Sequence, residues 1–348
     1  LKHFVAYNWA MFDDIMRPVD GKPVTLHFKS QSQRPIKLSP YRLSPVKIEC
    51  LRKQLEEWLR DGVVRPIESP WGAPVLMLEK KGAEPGTSNA YRTAVDFSKV
   101  NDTIHDDSYP NTLLADALVF LHNKTWRTLC DIRWGYHNLT LGPREQQICT
   151  FVCPLGTFAY LRLPLGIKPA SGLFCRQLCS DLSPWLYREV IAYIDDILLG
   201  HPQPQRQRHL QTVMDVLCHL GNKGYSVKVK KLKIMEDEFE YLGHVSTPFG
   251  IKPSARIIQA LVEMPIPGTI PGRGDPKKAV RSFLGMGSFY RKFIRDFAKV
   301  TTPLKLLTEE NRKFEWTSEC QKAWDSVIDA VIHSKGLYHP NYSLPFYI

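Results

Sequence analysis

The sequence predicts an α+β protein in which antiparallel strands mix with helices up to about residue 250 and helices dominate from Asp275 onward. Three observations carry this. Ile48, Leu51, Leu55, Trp58 and Leu59 recur at helical spacing behind a Ser44-Pro45 start. Two β-prone runs, Ala73–Leu78 and Tyr91–Phe97, flank a turn-rich loop and read as a hairpin. The Pro/Gly-rich stretch Met264–Gly274 parts the mixed region from the helical one and is the expected linker.

Taken in order, residues 1–43 read as irregular, with short extended pieces such as Pro23–Phe28. The first helix starts at Ser44-Pro45 and stops at Gly62. Extended pieces follow at Gly62–Pro66 and Ala73–Leu78, separated by the turn-like Glu68-Ser-Pro-Trp-Gly72. The loop Lys80–Asn89 opens with two lysines, so the hairpin has a long tip with a basic root. Residues 111–122 read as helix and Trp126–Ile132 as a β-prone run ending at Asp131. Cys149–Cys153 and Ala159–Leu163 read as strands, and 168–187 as a helix opening at Pro169. Val190–Tyr193 and Ile197–Leu199 are short strands around an aspartate pair. Arg206–Gly221 places Leu210, Val213, Leu217 and Leu220 on one helical face; Tyr225–Ile234 and Phe239–Val245 read as extended.

The chain has 348 residues, enough for two or three compact units, and a hydrophobic content of 43% marks a folded protein. Its formal charge of +11 points to a polyanionic partner, most simply nucleic acid. No apolar run approaches the roughly 20 residues of a membrane helix and no signal peptide is visible, so an intracellular protein with no membrane partner is expected. Eight cysteines are scattered with no CxxC pair, which favours buried thiols in a reducing compartment over zinc. The start at Leu1 suggests a piece of a longer chain.

The stretch Val190–Gly200 reads VIAYIDDILLG. A surface turn has no need of so apolar a surround, and a buried carboxylate is costly unless paired or metal-bound. The simplest geometry is a tight hairpin with Asp195 and Asp196 at its turn. Side chains alternate along a strand, so only one of the pair points fully into a given cleft; if the strand ending at Asp131 lies beside it, Asp131 and Asp195 converge and three carboxylates are gathered. In a basic protein, such a group suits hard cations with oxygen ligands, and two of them clamp an in-line phosphoryl displacement.

Tyr193-Ile-Asp-Asp196 resembles the YxDD box of reverse transcriptases. Ser39-Pro-Tyr-Arg-Leu-Ser-Pro45, Ser69-Pro-Trp-Gly-Ala-Pro-Val75, Asp131-Ile-Arg-Trp-Gly-Tyr-His137, Tyr241-Leu-Gly-His244, Ser282-Phe-Leu-Gly285 and Tyr290-Arg-Lys-Phe-Ile294 follow the order seen in Pol polyproteins of gypsy-type (Metaviridae) LTR retrotransposons. The resemblance covers roughly residues 35–348. It implies a right-hand polymerase whose antiparallel palm sheet carries the YxDD hairpin. The expected parts are an N-terminal extension (1–43), mainly fingers (44–125), mainly palm with part of the fingers, the YIDD hairpin and the primer grip (126–250), thumb (251–335), and the start of a truncated RNase H segment (336–348).

By that resemblance Asp131 and Asp195 are the main metal ligands and Asp196 the third carboxylate, for two magnesium ions with manganese as the alternative. Tyr136 sits at the steric-gate position that selects dNTPs, and the Trp134, Gly135 and Tyr136 amides cradle the triphosphate. Lys80 or Lys81, with Arg92, grips that triphosphate, while Leu165 lines the nucleotide pocket. Tyr241, Leu242, Gly243 and His244 form the primer grip, and the lysine run at 228, 230, 231 and 233 either meets backbone phosphate or protects a strand edge. Arg281, Gly285, Phe289 and Lys292 form a basic helix face with a small residue, which tracks the template–primer groove by shape.

Three positions depart from the family pattern. Leu165 replaces an aromatic, Ser98 replaces an arginine, and Ile148-Cys-Thr-Phe151 replaces a Lys-Thr-Ala-Phe pattern. The expected activity is RNA- and DNA-directed DNA synthesis on an RNA template with a DNA primer and dNTPs, in a retroelement particle or the nucleus. The alternative is a domesticated or decayed copy that binds nucleic acid or protein without catalysis. Because the chain stops before the first RNase H aspartate, no RNase H activity is expected in it.

Overall fold

A computed structural model describes residues 11–13, 15–80, 82–83, 87, 90–121, 123–268, 275–338 and 345. The chain divides into two compact units: one runs to Phe120 and resumes over Trp126–Met235, the other comprises Leu121–Thr125 and Glu236 onward. The boundary thus falls at 235/236. The Pro/Gly-rich stretch at 264 lies inside the second unit, and 269–274 are outside the described residues. No described helix is long and apolar enough to cross a membrane.

The first unit opens with α1 (Pro45–Arg60), where the Ser44 hydroxyl accepts the Lys47 N–H and Pro45 fills the first turn. Cys50, Leu51 and Leu55 are buried, whereas Leu59 is 40% exposed. Two successive i+4 steps from Leu51 rotate Leu59 about 80° off the buried face, which is why it leaves the core. Strands β1 (Val64–Pro66), β2 (Ala73–Glu79), β3 (Tyr91–Val95), β5 (Thr150–Cys153) and β6 (Gly156–Tyr160) form a sheet in the order β1-β6-β5-β2-β3. The β2–β3 hairpin runs antiparallel from Val75↔Val95 to Glu79↔Tyr91, as the alternation of the sequence predicts. The β2–β5 pair is parallel, so this sheet is mixed.

Strands β4 (Trp126–Asp131), β7 (Val190–Tyr193), β8 (Asp196–His201) and β9 (Lys233–Ile234) form a second, wholly antiparallel sheet, β7-β8-β4-β9. Helices α2 (Leu114–Phe120), α3 (Ala170–Asp181) and α4 (Arg206–Asn222) pack on it. The apolar flanks of the aspartate pair are explained here: Val190, Ile191, Ala192, Ile197, Leu198 and Leu199 are all buried. Several sequence expectations shorten, the helix over 111–122 to Leu114–Phe120 and two others more markedly. Helix α3 ends at Asp181 instead of running to 187, since Pro184 biases Ser183 away from helix and cannot continue the ladder. Tyr225–Ile234 is not one strand. Val227 bridges to Ile132, Val229–Lys231 forms a 3₁₀ turn, and only Lys233–Ile234 pairs with β4.

In the second unit, β10 (Phe239–Tyr241), β11 (His244–Thr247), β12 (Gly250–Pro253) and β13 (Leu337–Tyr338) form an antiparallel sheet. Helix α5 (Ala255–Val262) precedes the expected helical region, and its signal was the Ile257, Ile258, Leu261 spacing. Helix α6 (Pro276–Phe289) is capped by Asp275, whose carboxylate accepts the Lys277 N–H at 2.9 Å. It packs against α7 (Ser318–Ile332) through Phe283 stacked on Trp324, with ring centroids 3.6 Å apart. Val280, Phe283, Gly287 and Ile294 are buried and form the core-facing stripe of this region, while Leu284 is half-buried.

Candidate active site and duplex-contact elements

Strands β7 and β8 pair through Tyr193↔Asp196, which leaves Ile194 and Asp195 as a two-residue turn. Ile194 has φ 56°, a left-handed conformation that a β-branched residue avoids at a cost of about 1–3 kcal/mol. The surroundings hold it there. Ile132 N–H donates to the Asp195 carbonyl at 2.8 Å, and the Ile194 N–H lies against the Cys175 thiol of α3.

Asp131 ends β4 directly opposite Asp196 in the ladder, so the strand ending at Asp131 lies beside the aspartate hairpin. Asp131 is buried, while Asp195 and Asp196 are half-buried. Burial, followed by repulsion from Asp195 and Asp131, pushes the Asp196 carboxyl up to about 6. Two cations beside this corner have a role that no local sequence signal announces. Lys228 Nζ lies 2.5 Å from one oxygen of Asp131 and Lys231 Nζ 2.6 Å from the other. The hydrogen bond to Asp131 holds the Lys231 ammonium above the usual lysine range. The three carboxylates fit a hard cation by their all-oxygen chemistry. Among the described residues, however, no three acidic, histidine or cysteine groups converge on one ion position. The lysines engage Asp131 instead.

Trp134 (φ 62°) and Gly135 (φ 43°) are both left-handed and lead into a 3₁₀ turn, Gly135–Asn138. Successive amides in such a bend make a concavity suited to anions. Tyr136 is half-buried on this turn, edge-on to Phe174 at 5.6 Å. Burial, and more weakly Asp195, raise its phenol above the usual range. Lys80 and Arg92 stand exposed at the root of the β2–β3 hairpin, where Leu78 faces Arg92; Lys81 is outside the described residues. Leu165 is 44% exposed beside Gly166. Asn101, to which the sequence reading gave no role, braces that turn: its amide donates to Gly166 O and its carbonyl accepts the Lys168 N–H, each at 2.8 Å. Ser98 makes a local cap, with its hydroxyl and N–H both donating to Asp96.

The four residues Tyr241 to His244 differ in exposure. Tyr241 and His244 are buried, and only the Leu242-Gly243 turn is partly open. On α6 and just beyond it, Arg281, Gly285, Phe289 and Lys292 are all exposed. A Cβ on Gly285 would meet nothing within 4 Å, so packing does not explain that glycine. A cavity of about 480 Å³ adjoins it, lined in part by Ser288, Arg291, Phe297 and Lys305; the sequence reading gave Arg291 and Lys305 no role.

The architecture is an α+β right-hand polymerase fold. It superposes on the foamy viral protease-reverse transcriptase solved with an RNA/DNA hybrid, with TM-score 0.82 and 20% identity over 97% of this chain and 44% of that one. For the dRH form of that protein solved with double-stranded DNA, the TM-score is 0.84 at 21% identity, covering 97% of this chain and 57% of that one. Residues 78–246 match the family described as reverse transcriptase (RNA-dependent DNA polymerase). The chain carries the reverse transcriptase domain of a gypsy-type LTR retrotransposon Pol polyprotein. It is 32% identical over 296 residues to the Pol polyprotein from transposon opus of Drosophila melanogaster, covering 84% of this chain and 28% of that protein. With the gypsy polyprotein of the same organism it shares 28% identity over 290 residues, covering 83% and 27%. The Gag-Pol polyprotein of woolly monkey sarcoma virus is 31% identical over 337 residues, covering 93% and 19%. The chain therefore spans less than a third of the length of these curated relatives.

Proposed function

We propose that this chain is an RNA- and DNA-directed DNA polymerase that extends a DNA primer with dNTPs. The observation that carries the reading is the acidic corner: Asp131 opposite Asp196, with Asp195 in the strained turn beside them. Asp131 and Asp195, supported by Asp196, would hold divalent magnesium or manganese ions, which when bound activate the primer 3′-hydroxyl and neutralise the leaving pyrophosphate. The chain's own groups do the rest. The Trp134, Gly135 and Tyr136 amides receive the triphosphate, Lys80 (or Lys81) and Arg92 add charge to it, and Leu165 lines the base pocket. The Tyr136 ring excludes a 2′-hydroxyl. Lys228 and Lys231 neutralise Asp131 until cations arrive, which offsets the cost of a buried carboxylate.

We assign fingers and palm to the first compact unit. The thumb, with the exposed face of α6 as duplex track, is assigned to the second, and the primer grip expected with the palm, the β10–β11 hairpin, belongs to that second unit too. Extension of oligo(dT) on poly(rA) with magnesium tests the activity. The parent protein should incorporate dTTP, and Asp195→Asn should lose at least about a hundredfold, the scale of one missing transition-state contact. A folded parent that incorporates nothing overturns the reading.

A further inference from the structure

The turn of the β10–β11 hairpin is tied to the end of α6 by one hydroxyl. Leu242 (φ 48°) and Gly243 (φ 78°) form a two-residue turn with both φ positive, the type I′ geometry of tight hairpins. The Gly243 carbonyl accepts the Tyr290 hydroxyl at 2.6 Å and the Ser254 N–H at 3.2 Å. Tyr290 follows the last residue of α6 and is 1% exposed. Burial pushes its phenol up to about 12, so it remains a donor at any working pH. The fit leaves no slack: a Cβ on Gly243 would lie 2.9 Å from the Tyr290 oxygen. Next in sequence, His244 is fully buried, with its ring 5.2 Å from Phe289, 5.3 Å from Tyr290 and 5.8 Å from Phe293.

We propose that Tyr290 is a positioning residue whose hydroxyl locks the 242–243 turn to the end of α6. The two elements that hold the primer terminus and the duplex then move as one body. This rests on the polymerase reading above. A shift of about 1 Å at a reacting terminus costs on the order of a hundredfold in rate, so a loosened turn registers in chemistry before it registers in binding.

The test is Tyr290→Phe, which keeps the packed ring and removes only the bond. Three quantities are measured: hydrogen exchange of the 241–244 amides, affinity for a primer–template duplex, and the single-turnover rate of the first incorporation. Exchange is expected to rise about tenfold, as loss of a bond worth about 1.4 kcal/mol requires. Duplex affinity should stay within twofold and the single-turnover rate should fall at least fivefold. Unchanged exchange overturns the lock whether or not the protein is active. Raised exchange with a rate within twofold of the parent overturns the positioning role. A parent that fails to extend primers overturns the functional reading separately, while exchange still decides the lock. Gly243→Ala provides an independent arm. It should slow the parent, and Tyr290→Phe should add nothing in that background because the colliding oxygen is gone. Additive losses would overturn the proposal.

Discussion

Lowering the pH from 7 to 5 is expected to loosen the second unit, with His244 responsible for a calculable part. The ring is buried among Phe289, Tyr290 and Phe293, and its Nδ1–H donates to Leu242 O at 3.1 Å. Burial first, and the Lys292 charge second, pull its pKa from 6.5 down to about 4. The native state therefore binds fewer protons than the unfolded chain between these values. Its stabilising contribution is fully present above pH 6.5 and is lost as pH falls toward 4. Between pH 7 and pH 5 the loss works out at about 2 kcal/mol. His333, the other histidine described in this unit, lies at the surface. Cys320 is the unit's one cysteine and is buried, so labelling of its thiol along a urea series reports unfolding of this unit alone. At roughly 1–2 kcal/mol per molar urea, the midpoint of the parent should drop by about 1–2 M on acidification. His244→Leu should lose about 1 kcal/mol at pH 7 through the missing hydrogen bond, yet its midpoint should drop far less on going to pH 5. Equal pH dependence in parent and variant would refute the assignment.

Two further outcomes separate stability from function. Gly285→Ala meets no neighbour and gains helix propensity, so the second unit should become about 1 kcal/mol more stable by the same Cys320 labelling, while affinity for a primer–template duplex falls. Unchanged affinity would remove this face from the duplex track. Tyr136→Val deletes the ring that stands edge-on to Phe174, and the ratio of ribonucleotide to deoxynucleotide incorporation should rise at least about tenfold; a constant ratio would leave Tyr136 as a core aromatic.

What the sequence displays and what it hides differ in range. The hairpin at Asp195 is legible because apolar alternation is local, and a costly aspartate pair inside it demands a reason. The ladder pairing of Asp131 with Asp196 follows once two β-prone runs are allowed to neighbour. Ile194 is illegible from propensity, since a β-branched residue argues against a left-handed turn; the Ile132 bond to Asp195 and the Cys175 contact override it. Lys228 and Lys231 read as phosphate contacts or as a strand edge because nothing local says that the chain bends there into a 3₁₀ turn. Their partner lies about a hundred residues away.

The Tyr-Leu-Gly-His motif shows the same contrast. A histidine beside a glycine in a recognised motif invites a ligand-contact role, yet His244 is held by aromatic rings supplied from 45 or more residues downstream. The motif encodes a turn and its fastening. Gly243 supplies the left-handed corner and leaves room for the Tyr290 oxygen. His244 supplies a buried neutral anchor, so only the Leu242-Gly243 backbone remains open to a ligand. Substitutions at Tyr241 and His244 should accordingly act through the shape and stability of the second unit, and those at Gly243 through the turn itself.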